Sequence, residues 1–249
     1  LGEPVKFVGF ANYTTILKDP VFLTSLGVTL IFVVAVTGLT TICALALANL
    51  ARKHLRGTVI FRTLFASTMG VSVSVASVLW LFFFQPTTGV SDMILNALHL
   101  PPIHWLTGNV WALVAVILTV VWMNIGFAFL AISGALENVP THLYETAEIE
   151  GITPLLKFRY ITLPHISPTL FFVATVTMIN AFQTFGQVDL LTKGGPNNHT
   201  NLIVYQIYRD AFVNLNIGKA STESIILALL IALVTMAQFK LTEKRVMYQ

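Results

Sequence analysis

Charged residues and cysteine are both scarce in this chain. Of its 249 residues only 10% are Asp, Glu, Lys or Arg, against about 25% in a typical soluble domain. That deficit excludes a disordered tail and an ordinary soluble enzyme. The one cysteine, Cys43, lies in an apolar run and has no internal partner, so a disulfide-stapled secreted module is excluded. Cys43 reads as a small lipid- or helix-facing residue. There is no Ser-His-Asp arrangement, no Gly-Lys-Ser/Thr phosphate loop and no Cys/His cluster. None of the six histidines belongs to a metal set. His54 belongs to a basic inner loop, His142 and His165 flank the loop before the fourth apolar stretch, and His99, His104 and His199 are in outer loops. A net charge of +3, scattered along the chain, gives no footprint for nucleic acid. Internal repeats and low-complexity segments are also lacking.

Apolar length is what the chain has. Hydrophobic residues make up 55% and the mean hydropathy is +0.79. Roughly 20 apolar residues cross a bilayer core, and five stretches meet that need: residues 22–51, 63–84, 108–136, 160–188 and 220–239. Alternation of the barrel type is absent, so the expectation is an all-α, polytopic bundle of five membrane helices. The spans are read as free of ionisable side chains. That argues against a secondary transporter coupled to an ion gradient.

The distribution of Lys and Arg sets the orientation. Arg52, Lys53, Arg56 and Arg62 follow the first span, and Lys240, Lys244 and Arg245 close the chain, while the loop after the second span has neither residue. This places Leu1 outside and Gln249 in the cytoplasm. The chain opens on Leu rather than Met, so a further span upstream is expected, making six in the complete protein. The two hydrophilic stretches are then residues 137–159 inside and 189–219 outside. Neither is large enough for a catalytic domain.

In the inner stretch, Pro140 and Thr141 open a short helix, with Thr141 as its expected N-cap. Leu143, Ala147 and Glu150 fall on one side of it, with Glu145 and Glu148 toward the flanks. Gly151 suits the left-handed residue that ends such a helix. Pro164 and Pro168 bend or start the fourth span. By pattern alone this is a solvated connector. The sequence Tyr144-Glu-Thr-Ala-Glu-Ile-Glu-Gly151, nine residues, then Ile161-Thr-Leu-Pro164, resembles the EAA loop of binding-protein-dependent ABC importer permeases. Glu145, Ala147, Gly151, Ile161, Leu163 and Pro164 match in register. Thr146 replaces the second Ala and Glu150 replaces Asp. Val8 to Tyr13 with Asp19-Pro20 also resembles carbohydrate-type members of that family. So do Thr192 to Pro196 with Tyr205 to Tyr208, and the chain's end from Gln238 to Gln249. That last segment, Gln238 to Gln249, looks most like the permeases for glycerol-3-phosphate.

The resemblance implies a single permease domain over residues 1–249, of the type I ABC importer kind, in a bacterial inner membrane. It implies that Tyr144, Glu145, Thr146, Ala147, Glu150, Gly151 and Pro164 couple the chain to an ATPase. The implied partners are a second permease subunit, a dimer of ATP-binding subunits, an extracytoplasmic substrate-binding protein and the lipid bilayer. ATP and Mg would be bound by the ATPase partner, with no cofactor in this chain. The implied cargo is glycerol-3-phosphate, a glycerophosphodiester or a related sugar-like solute. The alternatives are a neutral oligosaccharide or, in a different class, a structural or assembly subunit of the membrane.

Three further groups have two readings each. Asn180, Gln183 and Gln187, at spacings of three and four, would share one helical face and either line the translocation pathway or bond to other helices. Trp80, Trp122 and Asn124 are pathway candidates, although tryptophans near span ends also act as interfacial anchors. Gly194-Gly195-Pro196 forms a turn before an amphipathic helix with Leu202, Tyr205, Ile207, Tyr208 and Phe212 at the outer interface. That loop would dock the binding protein or serve as a structural lid. With no Lys or Arg expected in a span, charge for an anionic solute would come from the second permease or from Lys193 or Arg209. Otherwise the solute would be a zwitterion or neutral.

Overall fold

The computed structural model describes residues 8–51 and 58–242, and no strand occurs among them. Leu1, the basic residues Arg52, Lys53 and Arg56 with His54, and the end of the chain including Lys244, Arg245 and Gln249 lie outside the described residues. The chain groups into two compact units. One comprises Leu1–Phe32, Ser77–Val116 and Phe182–Leu233; the other comprises Val33–Ala76, Ile117–Ala181 and Val234–Gln249.

A short helix α1 (Ala11–Ile16) leads into α2 (Pro20–Ala51), the first span. The Asp19 carboxylate accepts from the Val21 amide at 2.8 Å, capping the start of α2. The second span departs from the expected single rod. Helix α3 (Thr58–Ser67) tightens into a 3₁₀ turn, Thr68–Gly70, and Val71 then becomes extended (φ −86°, ψ 124°) before α4 (Val73–Phe83). The two halves, Arg62–Gly70 and Val73–Phe83, are bent by 112°. Glycine ends the first half, and the Ser72 hydroxyl, accepting from the Val75 amide at 3.3 Å, starts the second.

A short helix, α5 (Val90–Ala97), precedes the third span, α6 (Asn109–Glu137). The 137–159 stretch folds as α7 (Thr141–Ile149) and α8 (Pro154–Lys157), which runs through a π segment, Phe158–Thr162, into α9 (Leu163–Phe182). The fourth span is therefore Pro154–Phe182. Its prolines are absorbed locally. Pro168 has no amide for the Pro164 carbonyl, and the Ser167 hydroxyl donates to that carbonyl instead, at 2.8 Å. The widened π turn lies just before Pro164, where the ring would otherwise strike the preceding turn.

Beyond Phe182 the helix stops, six residues before the expected end at Val188. A separate short helix α10 (Gly186–Leu191) follows, then α11 (Ile203–Tyr208), a second π segment Arg209–Val213, and α12 (Ile217–Thr242). The fifth span, Ile217–Lys240, corrects the expectation of uncharged spans: Lys219 and Glu223 both lie inside it. Among the described residues four helices are thus long and apolar enough to cross a membrane, and the pair bent by 112° makes a fifth where its two halves count as one span.

The second unit has a continuous core. Ala44, Ala48 and Ala51 of α2 and Ala128 of α6 lie with Phe129, Ile132, Leu136, Val139, Ile166 and Val173. Burying apolar side chains gains little where lipid is the solvent. Helices there associate by close packing, which alanines at i and i+4 permit.

Candidate functional site

Helix α7 is held by one face only. Ala147 is buried, and the Tyr144 ring packs onto the core that contains Leu136, Val139 and Ile166. The Tyr144 hydroxyl lies 2.7 Å from that of Thr162, in the π segment. Thr141 is the first helical residue rather than the N-cap. Pro140 takes the cap position with no side-chain bond, because its fixed φ (−58°) suits the turn into the helix. At the other end Gly151 adopts φ +69°. The Gly151 amide donates to the Glu148 carbonyl at 3.1 Å, and the Ile152 amide to the Ala147 carbonyl at 2.9 Å. This is a Schellman ending, as Gly151 led one to expect. The outward face presents Glu145, Thr146, Glu148, Ile149 and Glu150, all exposed, so Glu150 does not join Ala147 in the core. Ile149 is 89% exposed, and Leu155 and Tyr160 extend the apolar surface beyond it. Pro164 is internal to the span start and half-buried.

The 189–219 stretch is divided among α10, α11 and a π segment. It packs inward on both polar and apolar residues: Leu202, Ile203, Tyr205, Gln206 and Asp210 are buried, and Phe212 stays exposed. Asn201 donates to the Ser25 hydroxyl at 2.9 Å and to Gln206 Oε1 at 2.8 Å, and the Thr29 hydroxyl of α2 accepts from the Ile203 amide at 3.0 Å. Gln206 in turn donates to Asp210 at 2.9 Å. Lys219 Nζ then lies 2.8 Å from Asp19, 2.9 Å from Asp210 and 3.8 Å from the fully buried Glu223. The Lys219 hydrogen bond holds the Asp19 carboxyl below its ordinary value. Burial pushes Asp210 up, but hydrogen bonds from Asn214, Lys219 and Gln206 outweigh it and leave its carboxyl lowered. Sequence reading missed this cluster.

In the preceding turn, Gly194 lies against the Tyr205 ring, and Gly195 and Pro196 are joined by a cis bond. The Thr200 hydroxyl donates to the Gly195 carbonyl at 2.7 Å. Gly194 is buried and Gly195 and Pro196 are half-buried, while Lys193, Asn197 and His199 are the exposed residues of this loop.

Residues 20–248 match the family model described as "Binding-protein-dependent transport system inner membrane component". The chain belongs to that family. It is a multi-pass membrane protein and a permease subunit of an ABC importer. Among its relatives is the sn-glycerol-3-phosphate transport system permease protein UgpA of Rhizobium meliloti (strain 1021), 38% identical over 97% of this chain and 83% of the relative. The protein of the same name from Agrobacterium fabrum is also 38% identical, over 99% of this chain and 84% of the relative. In fold, the permease is similar to a chain of a bacterial ABC transporter that imports the acidic polysaccharide alginate (TM-score 0.83, 21% identity, covering 96% of this chain and 84% of that one).

The permease's expected pathway residues lie on several different elements. Asn180 is on α9 and exposed; Gln183 is exposed in the break after Phe182; Gln187 is buried on α10. The helix ends between them, so the three amides do not share a continuous helical face. Asn124 donates to the Val120 carbonyl of its own helix at 2.8 Å, and Trp122 beside it is half-buried. Trp80 belongs to an aromatic row with Phe83 and Phe84, both at 5.1 Å, that continues to Trp105.

Proposed function

We propose that this permease subunit forms half of the translocation pathway for sn-glycerol-3-phosphate, a glycerophosphodiester or a related sugar-like solute. Its drive would be ATP hydrolysis in a separate dimer of ATP-binding subunits that hold the ATP and Mg. The observation that carries the coupling part is the build of α7. A helix anchored by Tyr144 and Ala147 and ended at Gly151 leaves Glu145, Thr146, Glu148 and Ile149 outward as a rigid surface. In this reading residues 137–159 are cytoplasmic and 189–219 external, with Leu1 outside and Gln249 inside. The second permease is UgpE-like. An extracytoplasmic binding protein delivers the solute, touching Lys193, Asn197 and His199 beside the Gly194-Gly195-Pro196 turn. Asn180, Gln183, Gln187, Trp80, Trp122 and Asn124 remain pathway candidates individually, not as one face.

The solute rests on the relatives' names. A neutral oligosaccharide is the second reading, and one observation favours it: Lys219, a cation inside a span, is committed to Asp19 and Asp210. The deciding experiment is ATP turnover by the reconstituted complex with binding protein loaded by sn-glycerol-3-phosphate or by a neutral trisaccharide. Stimulation by the phosphate is expected. Stimulation by the trisaccharide alone would move the assignment to the second reading.

A further inference from the structure

Helix α5 presents its side chains in the reverse of the order that water favours. Ser91 and Asp92 are buried, whereas Val90, Met93, Ile94 and Leu98 are exposed, Met93 and Leu98 each by 63%. The polar pair faces inward because the chain uses it there. The Ser91 hydroxyl donates to the Phe83 carbonyl at 2.8 Å, and the Asp92 carboxylate accepts from the Thr87 amide at 2.8 Å. Hydrogen bonds thus close the turn after α4, and the other side of the helix is left to apolar groups. Val90, Met93, Ile94 and Ala97 recur at spacings of three and four, so they form one stripe about 100° wide. Leu98 lies just beyond its end.

An exposed apolar surface of this kind marks contact with protein or with membrane. The depth of α5 decides between them, and it follows from α6. At about 1.5 Å per residue, its 29 residues are roughly 43 Å long, which matches the about 40–45 Å of a bilayer with its headgroups. The Asn109 end therefore lies at headgroup level. Trp111 is exposed in the first turn there, where amphipathic rings concentrate. A row of rings ties α5 to this level. Trp111 meets Trp105 at 5.3 Å, and Trp105 meets Phe84 at 5.0 Å, next to the Phe83 carbonyl that Ser91 holds. Exposed apolar residues also flank α5 in the chain, Phe82 in the last turn of α4 and Val110 in the first turn of α6. A docking surface for a soluble partner carries a polar rim, but from Met93 to Ile103 the sequence has no Asp, Glu, Lys or Arg.

We propose that α5 is an interfacial anchor, with Val90, Met93, Ile94 and Leu98 set into the boundary between lipid headgroups and acyl chains. Helices of this type bury their apolar face about 5–10 Å into that boundary. The Ser91 hydrogen bond passes the hold to Phe83, so the end of α4 keeps a fixed depth in the membrane.

The test uses the whole importer in lipid vesicles, with Cys43→Ser as the parent and single Met93→Cys, Leu98→Cys and Asn96→Cys variants. Asn96 is exposed on the same helix but lies off the apolar stripe. Each cysteine carries a nitroxide spin label, and its relaxation is measured with oxygen, which concentrates in hydrocarbon, and with a hydrophilic nickel chelate. The ratio of oxygen to nickel accessibility should be severalfold higher at positions 93 and 98 than at 96. If Met93→Cys or Leu98→Cys fails to assemble, Val90→Cys takes its place. A nickel chelate that reaches 93 and 98 as readily as 96 would put the stripe in water. Labels at 93 and 98 screened from both reagents would show that the second permease or another protein surface covers it. Either result would overturn the proposal.

Discussion

The Tyr144 hydroxyl stands 2.7 Å from the Thr162 hydroxyl, eighteen residues further along the chain. Thr162 is itself buried, and the pair ties α7 to the π segment at the head of the fourth span. A displacement of α7 would therefore be passed directly to α9. Tyr144→Phe keeps the ring in the core and removes the bond, at a cost of about 1 kcal/mol. The expected outcome is normal assembly with ATP turnover less responsive to loaded binding protein. Unchanged stimulation would show that ring packing alone carries the contact.

Gly151 gives a sharper test, because sterics with neighbours play no part. Nothing lies within 4 Å of a Cβ built there, so only its φ of +69° matters. Gly151→Ala should cost about 1 kcal/mol, whereas Gly151→Asn should cost less, since Asn tolerates the left-handed region. Stimulated ATP turnover should rank wild type, then Asn, then Ala. An Ala variant equal to wild type would show that the helix end has another conformation in the assembled transporter.

The outward face of α7 can be probed by charge. Glu145→Lys reverses its sign at an exposed position, and Ile149→Asp removes its most exposed apolar side chain. A central apolar anchor in an interface is worth about 2 kcal/mol or more, so co-purification of the ATPase with Ile149→Asp should fall roughly tenfold or further. Glu145→Lys should weaken the same association through lost electrostatic complementarity. Both variants should still insert in the membrane. A solvated connector would leave both at wild-type yield of the complex.

Much of this was legible in the sequence where charge or a special residue marks a boundary. Asp19 announced the start of the first span, Glu137 the end of the third, and Gly151 the end of α7. The break at Val71-Ser72 was invisible, because hydropathy measures composition and not direction, and the run from Thr63 to Phe84 stays apolar throughout. The stop at Phe182 was obscured by the spacing of Asn180, Gln183 and Gln187, which fits a helix equally well. Glu223 disappeared into the apolar average of the fifth span. Its partner Lys219 is one turn away, but Asp19 and Asp210 reach Lys219 through tertiary packing, which periodicity cannot show.

That cluster supports the last prediction, on pH. Asp19 and Asp210 both have carboxyls held below the ordinary 3.8 in the folded chain. A depressed carboxylate pKa stabilises the fold above the unfolded value, and the benefit is lost as pH falls through the folded one. Thermal stability of the detergent-purified complex should thus be maintained at neutral pH and fall once the pH drops below about 4. Lys219→Met removes the bond that dominates at Asp19 and one of the three that offset burial at Asp210. The buried Asp210 charge then lacks its ion-pair partner, costing up to about 3 kcal/mol at pH 7, and less in proportion to the quarter of the Lys219 side chain that is open to solvent. With that partner gone, burial weighs more heavily on Asp210 and moves its folded pKa upward. The acid-labile share of the stability then shrinks, and the melting temperature of Lys219→Met should fall less than that of wild type as the pH drops below about 4. Parallel acid profiles for the two proteins would mean that Lys219 does not stabilise these carboxylates in the assembled permease.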